Sequence, residues 1–206
     1  MLAMTMNGTD LYEHWPREIP TLVGRAVAAA RELDFRLCVH PGTGGLLAAL
    51  AAGLPDGSTV VETGTGTGAG LAWMVTAASS GVRFVSVELD ADRAAAAAKL
   101  FADCPNVTTV HGRAEEHWYE HRPDLLVLDG GGGTGKSGEP PVDVRRALAP
   151  FGTVTVDDFT PVADWPPMHR GEVDGSRLHW LEHPELHTTE VMVAPDMAVL
   201  VGRLLR

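Results

Sequence analysis

Glycine recurs at alternate positions in Glu62-Thr63-Gly64-Thr65-Gly66-Thr67-Gly68-Ala69-Gly70, directly after the apolar run Thr59-Val60-Val61. Such a backbone can turn tightly and approach a ligand closely, because no Cβ intervenes. A second apolar run, Arg83 to Glu88, ends in an acidic side chain 24 residues beyond Gly64. A carboxylate there can accept hydrogen bonds from both hydroxyls of a ribose, so loop and carboxylate together specify a nucleoside-like cofactor. Gly64-x-Gly66-x-x-Ala69 also satisfies the dinucleotide fingerprint. A nicotinamide enzyme of that kind normally needs a further substrate domain, for which little chain remains. The plainer alternative is a tight strand-to-helix turn with no ligand.

Three aspartates form the second constellation. Asp129 closes the aliphatic run Leu125 to Leu128, and Asp157-Asp158 close the run Gly152 to Val156. Adjacent parallel strands would bring these carboxylates to one small site. Packed carboxylates repel unless a cation joins them, and hard oxygen donors suit magnesium or manganese. The alternative is that Asp129 touches cofactor, Asp157 caps a turn and Asp158 is solvated.

Other patterns compete for attention. Gly130 to Ser137 matches the phosphate-loop pattern G-x-x-x-x-G-K-S, which makes a nucleotide triphosphatase using Lys136 a rival reading. A working phosphate loop needs its Lys-Ser to open a helix, and Pro140-Pro141 leave too little room for one. The segment reads instead as a flexible flap beside the active site. His179, His183 and His187 share a spacing of four, but Pro184 interrupts that helix and no cysteine lies nearby. Trp15, Trp73, Trp118, Trp165 and Trp180 read as core or interface anchors, with Trp165 placed where it could wall a substrate site.

The elements that must position these groups alternate. Helical spacing runs from Pro20 to Leu33 and from Leu46 to Leu54. Strand signals at 59–61, 83–88, 107–110, 125–128 and 152–156 are interleaved with helical stretches at 68–78, 91–101 (capped by Asp90) and 142–148. Thr188 to Val193 and Met197 to Val201 read as a closing hairpin, and residues 1–16 as a loosely held start. Continuously apolar strands alternating with helices indicate a mostly parallel sheet covered on both faces. Ligands then sit beyond the carboxyl ends of the strands.

At this point a family resemblance becomes definite. Glu62-x-Gly64-x-Gly66-x-Gly68 after an apolar strand resembles the first motif of class I S-adenosylmethionine (SAM)-dependent methyltransferases. The resemblance covers about residues 36–205. It implies a Rossmann-like, seven-stranded, mostly parallel α/β sheet with helices on both faces and an antiparallel last strand. Residues 36–206 would form the methyltransferase domain and residues 1–35 an N-terminal helical cover. It implies further that Glu62, Gly64, Thr65, Gly66 and Gly68 frame the methionine part of SAM. Glu88, with Leu89 beside it, would hold the ribose, Arg113 and Ala114 would border the adenine, and Asp129 would face the cofactor in the active site. His40 to Leu46 is similar to the segment that covers the methionine end in small-molecule O-methyltransferases.

Asp129, Asp157 and Asp158 also resemble the ligands of the divalent-metal O-methyltransferases related to catechol O-methyltransferase. That implies magnesium or another divalent cation holding a substrate hydroxyl. There is one departure: that family carries its basic lysine three positions after the first metal-binding Asp, where this chain has Gly132. Lys136 is the nearest lysine and becomes the candidate base. The expected activity is methyl transfer to a small-molecule hydroxyl, with a non-catalytic cofactor-binding module as a third reading.

Composition agrees with that class. The chain has 206 residues, 45% apolar and 21% charged, which suits one globular domain. Its formal net charge of -11 provides no basic face, so nucleic acid is not an expected partner. Two cysteines, Cys38 and Cys104, make no disulfide framework. The start carries no signal-peptide pattern, and no apolar run is long enough to span a membrane. A cytoplasmic protein is expected, and a homodimer is compatible with the architecture.

Overall fold

A computed structural model describes residues 7–117, 119–133 and 140–206. Seven strands form one sheet in the order β3-β2-β1-β4-β5-β9-β8. They are β1 (Thr59–Thr63), β2 (Arg83–Glu88), β3 (Val107–His111), β4 (Leu125–Leu128), β5 (Thr153–Phe159), β8 (Leu186–Ala194) and β9 (Met197–Leu204). Five are mutually parallel, and β9 pairs antiparallel with both β5 and β8. Only β9 therefore runs against the rest, which is the topology the family resemblance implies. A small separate hairpin, β6 (Met168–His169) with β7 (Glu172–Val173), stands outside the sheet.

The strands are apolar on both sides because helices cover both. Val60 points into one core with Phe84, Leu125 and Val127, and Val61 into the opposite core with Leu126, Val154 and Val156. That alternation is the two-residue period of a pleated strand. Helices α2 (Thr21–Glu32), α3 (Pro41–Ala52) and α4 (Ala69–Ala77) build the first core with Val23, Val27, Leu47, Leu71 and Met74. The second takes Val144 from the single-turn α6 (Val144–Ala147) and Trp180 from α7 (Gly175–Leu181). A fully buried aliphatic side chain of this kind contributes about 1.5–3 kcal/mol. Helix α5 (Ala91–Leu100) starts where Asp90 accepts the amides of Asp92 and Arg93, as the sequence suggests.

Three local readings change. Helix α3 begins at Pro41 rather than near Leu46, because proline at the first helical position and the His40 ring, which accepts the Gly42 amide, start it early. Strand β5 continues through Asp157 and Asp158 to Phe159, with a register shift between Val156 and Phe159. The described part of the N-terminal stretch is held in place: Gly8–Leu11 forms α1, and Gly8, Thr9 and Tyr12 are buried, while residues 1–6 lie outside the described residues.

Candidate active site

The strand order reverses beside β1, whose neighbours are β2 and β4. Loops leaving the carboxyl ends of β1 and β4 diverge there and leave a crevice. Gly64, Gly66 and Gly68 turn the first loop with φ of 82°, 54° and 96°, a region that side chains disfavour. A Cβ on Gly64 would lie 2.5 Å from the backbone of Gly130, and one on Gly66 would lie 2.9 Å from the Phe35 ring. These glycines are required by close packing as well as by φ.

Behind the loop lies a buried polar ladder. Thr65 and Ser86 hydroxyls are 2.6 Å apart, and the Ser86 hydroxyl donates to Glu62 at 2.5 Å. Glu62 is 1% exposed. Burial is the main cause that pushes its carboxyl up to about 8; the Ser86 bond opposes that and the charges of Asp157 and Glu88 add to it. Glu88, at the end of β2, fixes the loop from the other side. Its Oε2 accepts the Gly66 amide at 2.7 Å, and its Oε1 accepts the Asp90 amide and the Arg93 guanidinium at 2.9 and 2.8 Å. Arg93 in turn lies over the Phe35 ring, 4.9 Å from its centroid. Oε2 has taken one of the two hydrogen bonds open to a carboxylate oxygen, so it can accept another.

The crevice is a cleft of about 390 Å³, a size suited to a cofactor. Gly64, Gly66, Glu88, Leu89, Arg113, Ala114, Asp129, Asp157 and Asp158 line it together. Glu62, Thr65 and Gly68, also expected at the site, are not among the lining residues; Thr65 and Glu62 belong to the polar ladder behind the loop. Lys136 and Trp118 lie outside the described residues. No helix occupies residues 140–143, and the next begins at Val144, so the described backbone offers no helix start for a phosphate loop.

At the far end, the Asp129 carboxyl is held well above the ordinary range. Burial is the main cause; Asp158 and Glu62 reinforce it, and a hydrogen bond with Asp157 opposes it. Asp158 is exposed and sits at φ 64° on the bulge of β5. Three aspartates thus line one cleft, but among the described residues no three His, Cys, Asp or Glu side chains form a group that could hold a metal ion. Asp129 is hydrogen-bonded with Asp157, and the charge of Asp158 acts on it as well.

Sequence reading missed part of the lining. Phe35, Cys38, Val39, Arg93 and Met197 also face the cleft. Arg93 carried a signal, since it lies one helical turn beyond the Asp90 cap and can reach back to Glu88; residues 33–39 of the connector carried none. His40, noted in the sequence, lines the cleft, and burial holds its imidazole below the usual range. His179 and His183 lie 5.4 Å apart between ring centroids on and just beyond α7, away from the cleft lining.

No protein-family model and no curated protein matches the chain. Solved structures do. The O-methyltransferase TomG from Streptomyces achromogenes, involved in tomaymycin synthesis and solved with SAM, aligns with a TM-score of 0.70 at 21% identity, over 99% of this chain and all of that one. A methyltransferase from Geobacter sulfurreducens gives 0.69 at 23% identity, covering 96% and 94% of the two chains. The O-methyltransferase from Bacillus cereus, solved with S-adenosylhomocysteine (SAH), gives 0.68 at 19% identity, covering 97% and 98%. With the strand order, the single antiparallel strand and the glycine loop at the reversal point, these likenesses establish that the chain has the fold of the SAM-dependent O-methyltransferases.

Proposed function

We propose that the protein transfers a methyl group from SAM to a hydroxyl of a small-molecule acceptor. The observation that carries this reading is the contact of Glu88 with the glycine loop. The Gly66 amide holds the carboxylate at the mouth of the cleft with Oε2 still open to a ribose hydroxyl. Arg93 and the Asp90 amide keep the other oxygen engaged. Gly64 to Gly68 would take the methionine part against bare backbone, and Arg113, Ala114 and Leu89 would border the nucleoside. The fit is supported by the cleft's volume and by the acidic residues that line it, which suit a sulfonium cation.

SAM supplies a methyl group already activated by the sulfonium. What the chain must do is align an acceptor oxygen with it, and alignment alone can supply much of the acceleration. Asp129, at the acceptor end, is proposed to orient that oxygen through its carboxyl. No step is derived through a metal ion, because among the described residues no group of three His, Cys, Asp or Glu side chains is placed to hold one. Lys136 remains the candidate base from the sequence. No helix in the described chain is long and apolar enough to cross a membrane. We place the activity in the cytoplasm, with a homodimer as the assembly to test.

Calorimetric titration with SAM, SAH and ATP tests the assignment. Micromolar binding of the first two, lost in Glu88→Ala, is the expected result. Binding of ATP alone would sink the methyltransferase reading and return attention to Lys136.

A further inference from the structure

One wall of the cleft has no regular structure of its own. Residues Phe35, Leu37, Cys38, Val39 and His40 all line it, yet they belong to the connector between α2 and α3. Backbone groups in such a segment need partners from elsewhere. They find them in α1 and the residue after it. The Thr9 amide donates to the Arg36 carbonyl at 3.0 Å. The Thr9 hydroxyl donates to the Phe35 carbonyl at 2.8 Å and accepts the Cys38 amide at 3.3 Å. The Tyr12 hydroxyl donates to the Val39 carbonyl at 2.9 Å while accepting the Trp73 indole N–H at 3.1 Å. Two residues thus satisfy four polar groups of the wall.

The packing is equally close. A Cβ on Gly8 would stand 1.9 Å from the Cys38 carbonyl oxygen, so only glycine allows α1 to seat there. Thr9 is 2% and Tyr12 8% exposed. Burial holds the Tyr12 phenol well above its usual range, so it stays a donor. On the opposite side the wall is tied through Cys38, whose side chain hydrogen-bonds with Thr67, and through Phe35, whose ring packs on Arg93 and against Gly66. All of those contacts belong to the cofactor loop and its Glu88 support.

We propose that residues 8–12 are a positioning clamp for the cofactor: seating of this segment and binding of SAM in the cleft are thermodynamically coupled. The inference rests on the assignment of the cleft to SAM. The wall is competent only when the clamp holds it, so apparent affinity scales with the fraction clamped. Coupling is reciprocal, so ligand in the cleft must tighten the clamp.

The test uses the full chain and SAH as probe. Calorimetry compares wild type with Thr9→Val, Thr9→Ser, Gly8→Ala and the double variant Thr9→Val/Tyr12→Phe. Thr9→Val is expected to weaken SAH binding about tenfold, the order set by losing two hydrogen bonds that hold the competent form. The double variant and Gly8→Ala should weaken it further. Thr9→Ser keeps the oxygen and should bind within about twofold of wild type. Amide hydrogen exchange on wild type gives the reciprocal readout: SAH should slow exchange at Thr9 and Cys38. Should Gly8→Ala fail to fold, the threonine pair still decides. Wild-type affinity in folded Thr9→Val and in the double variant, with exchange at Thr9 unmoved by SAH, would overturn the clamp. Failure of wild type itself to bind SAH is a separate result, and it overturns the cleft assignment together with the clamp.

Discussion

A buried acid that holds its proton to about pH 8 makes folding stability depend on pH in a direction opposite to most carboxylates. Glu62 is that acid. In the unfolded chain it releases its proton near the ordinary 4.5, whereas in the folded chain it keeps it until about 8. Between those values the folded state binds more protons than the unfolded state, so stability falls as pH rises. The stabilising contribution is fully present below the lower value, is lost progressively up to the higher one, and changes little beyond it. The window is roughly three and a half pH units at ~1.4 kcal/mol each, which sums to about 5 kcal/mol.

Glu62→Gln removes the titration and keeps the shape, including an acceptor for the Ser86 hydroxyl. Urea unfolding of both proteins at intervals from about pH 5 to pH 9 should show their stability curves diverging, with the variant losing less as pH rises. Their difference should move by several kcal/mol and level off above about pH 8. Parallel curves would refute the reasoning. They would mean that Glu62 is ionised in the fold and that the Thr65–Ser86–Glu62 ladder carries a charge.

Other perturbations follow from single contacts. Arg177 is 2% exposed and donates to Glu190 at 2.7 Å, to Asp174 at 3.2 Å and to the Thr160 carbonyl at 2.6 Å. Arg177→Met should cost about 3–5 kcal/mol in urea unfolding, since it strands two carboxylates. The Trp180 indole N–H donates to the buried Gly133 carbonyl, so Trp180→Phe should cost about 1–3 kcal/mol by the same measurement. Gly64→Ala combines an unfavourable φ, worth about 1–2 kcal/mol, with a collision against backbone. It should abolish SAH binding in calorimetry, while an alanine at open Gly45 should leave binding unchanged.

The sequence made legible whatever depends on local pattern. Apolar runs marked the strands, and the glycine spacing marked the loop at the reversal point. Glu88 could be placed because it ends a strand, and Asp90 because its side chain caps the next helix. Features that depend on contacts distant in the chain were not legible. Nothing in Thr9 or Tyr12 announces that they hold the connector 33–40, because their partners lie 26 to 29 residues away. The bulge in β5 was equally hidden. The run reads as an ordinary strand to Val156, and only pairing with β9 shows that it continues to Phe159 with Asp158 turned into the left-handed region.

Gly64 and Gly130 meet back to back where the loops leave β1 and β4. A Cβ on the first would lie 2.5 Å from the second, and one on the second 2.3 Å from the first. Most tight contacts in a protein can drift, since a residue that grows is accommodated by a partner that shrinks. Here both partners already have nothing to lose. No second-site change at the facing position can rescue a side chain at either one. The mouth of the cleft is therefore a fixed point in the sequence, around which the strands and helices are free to vary.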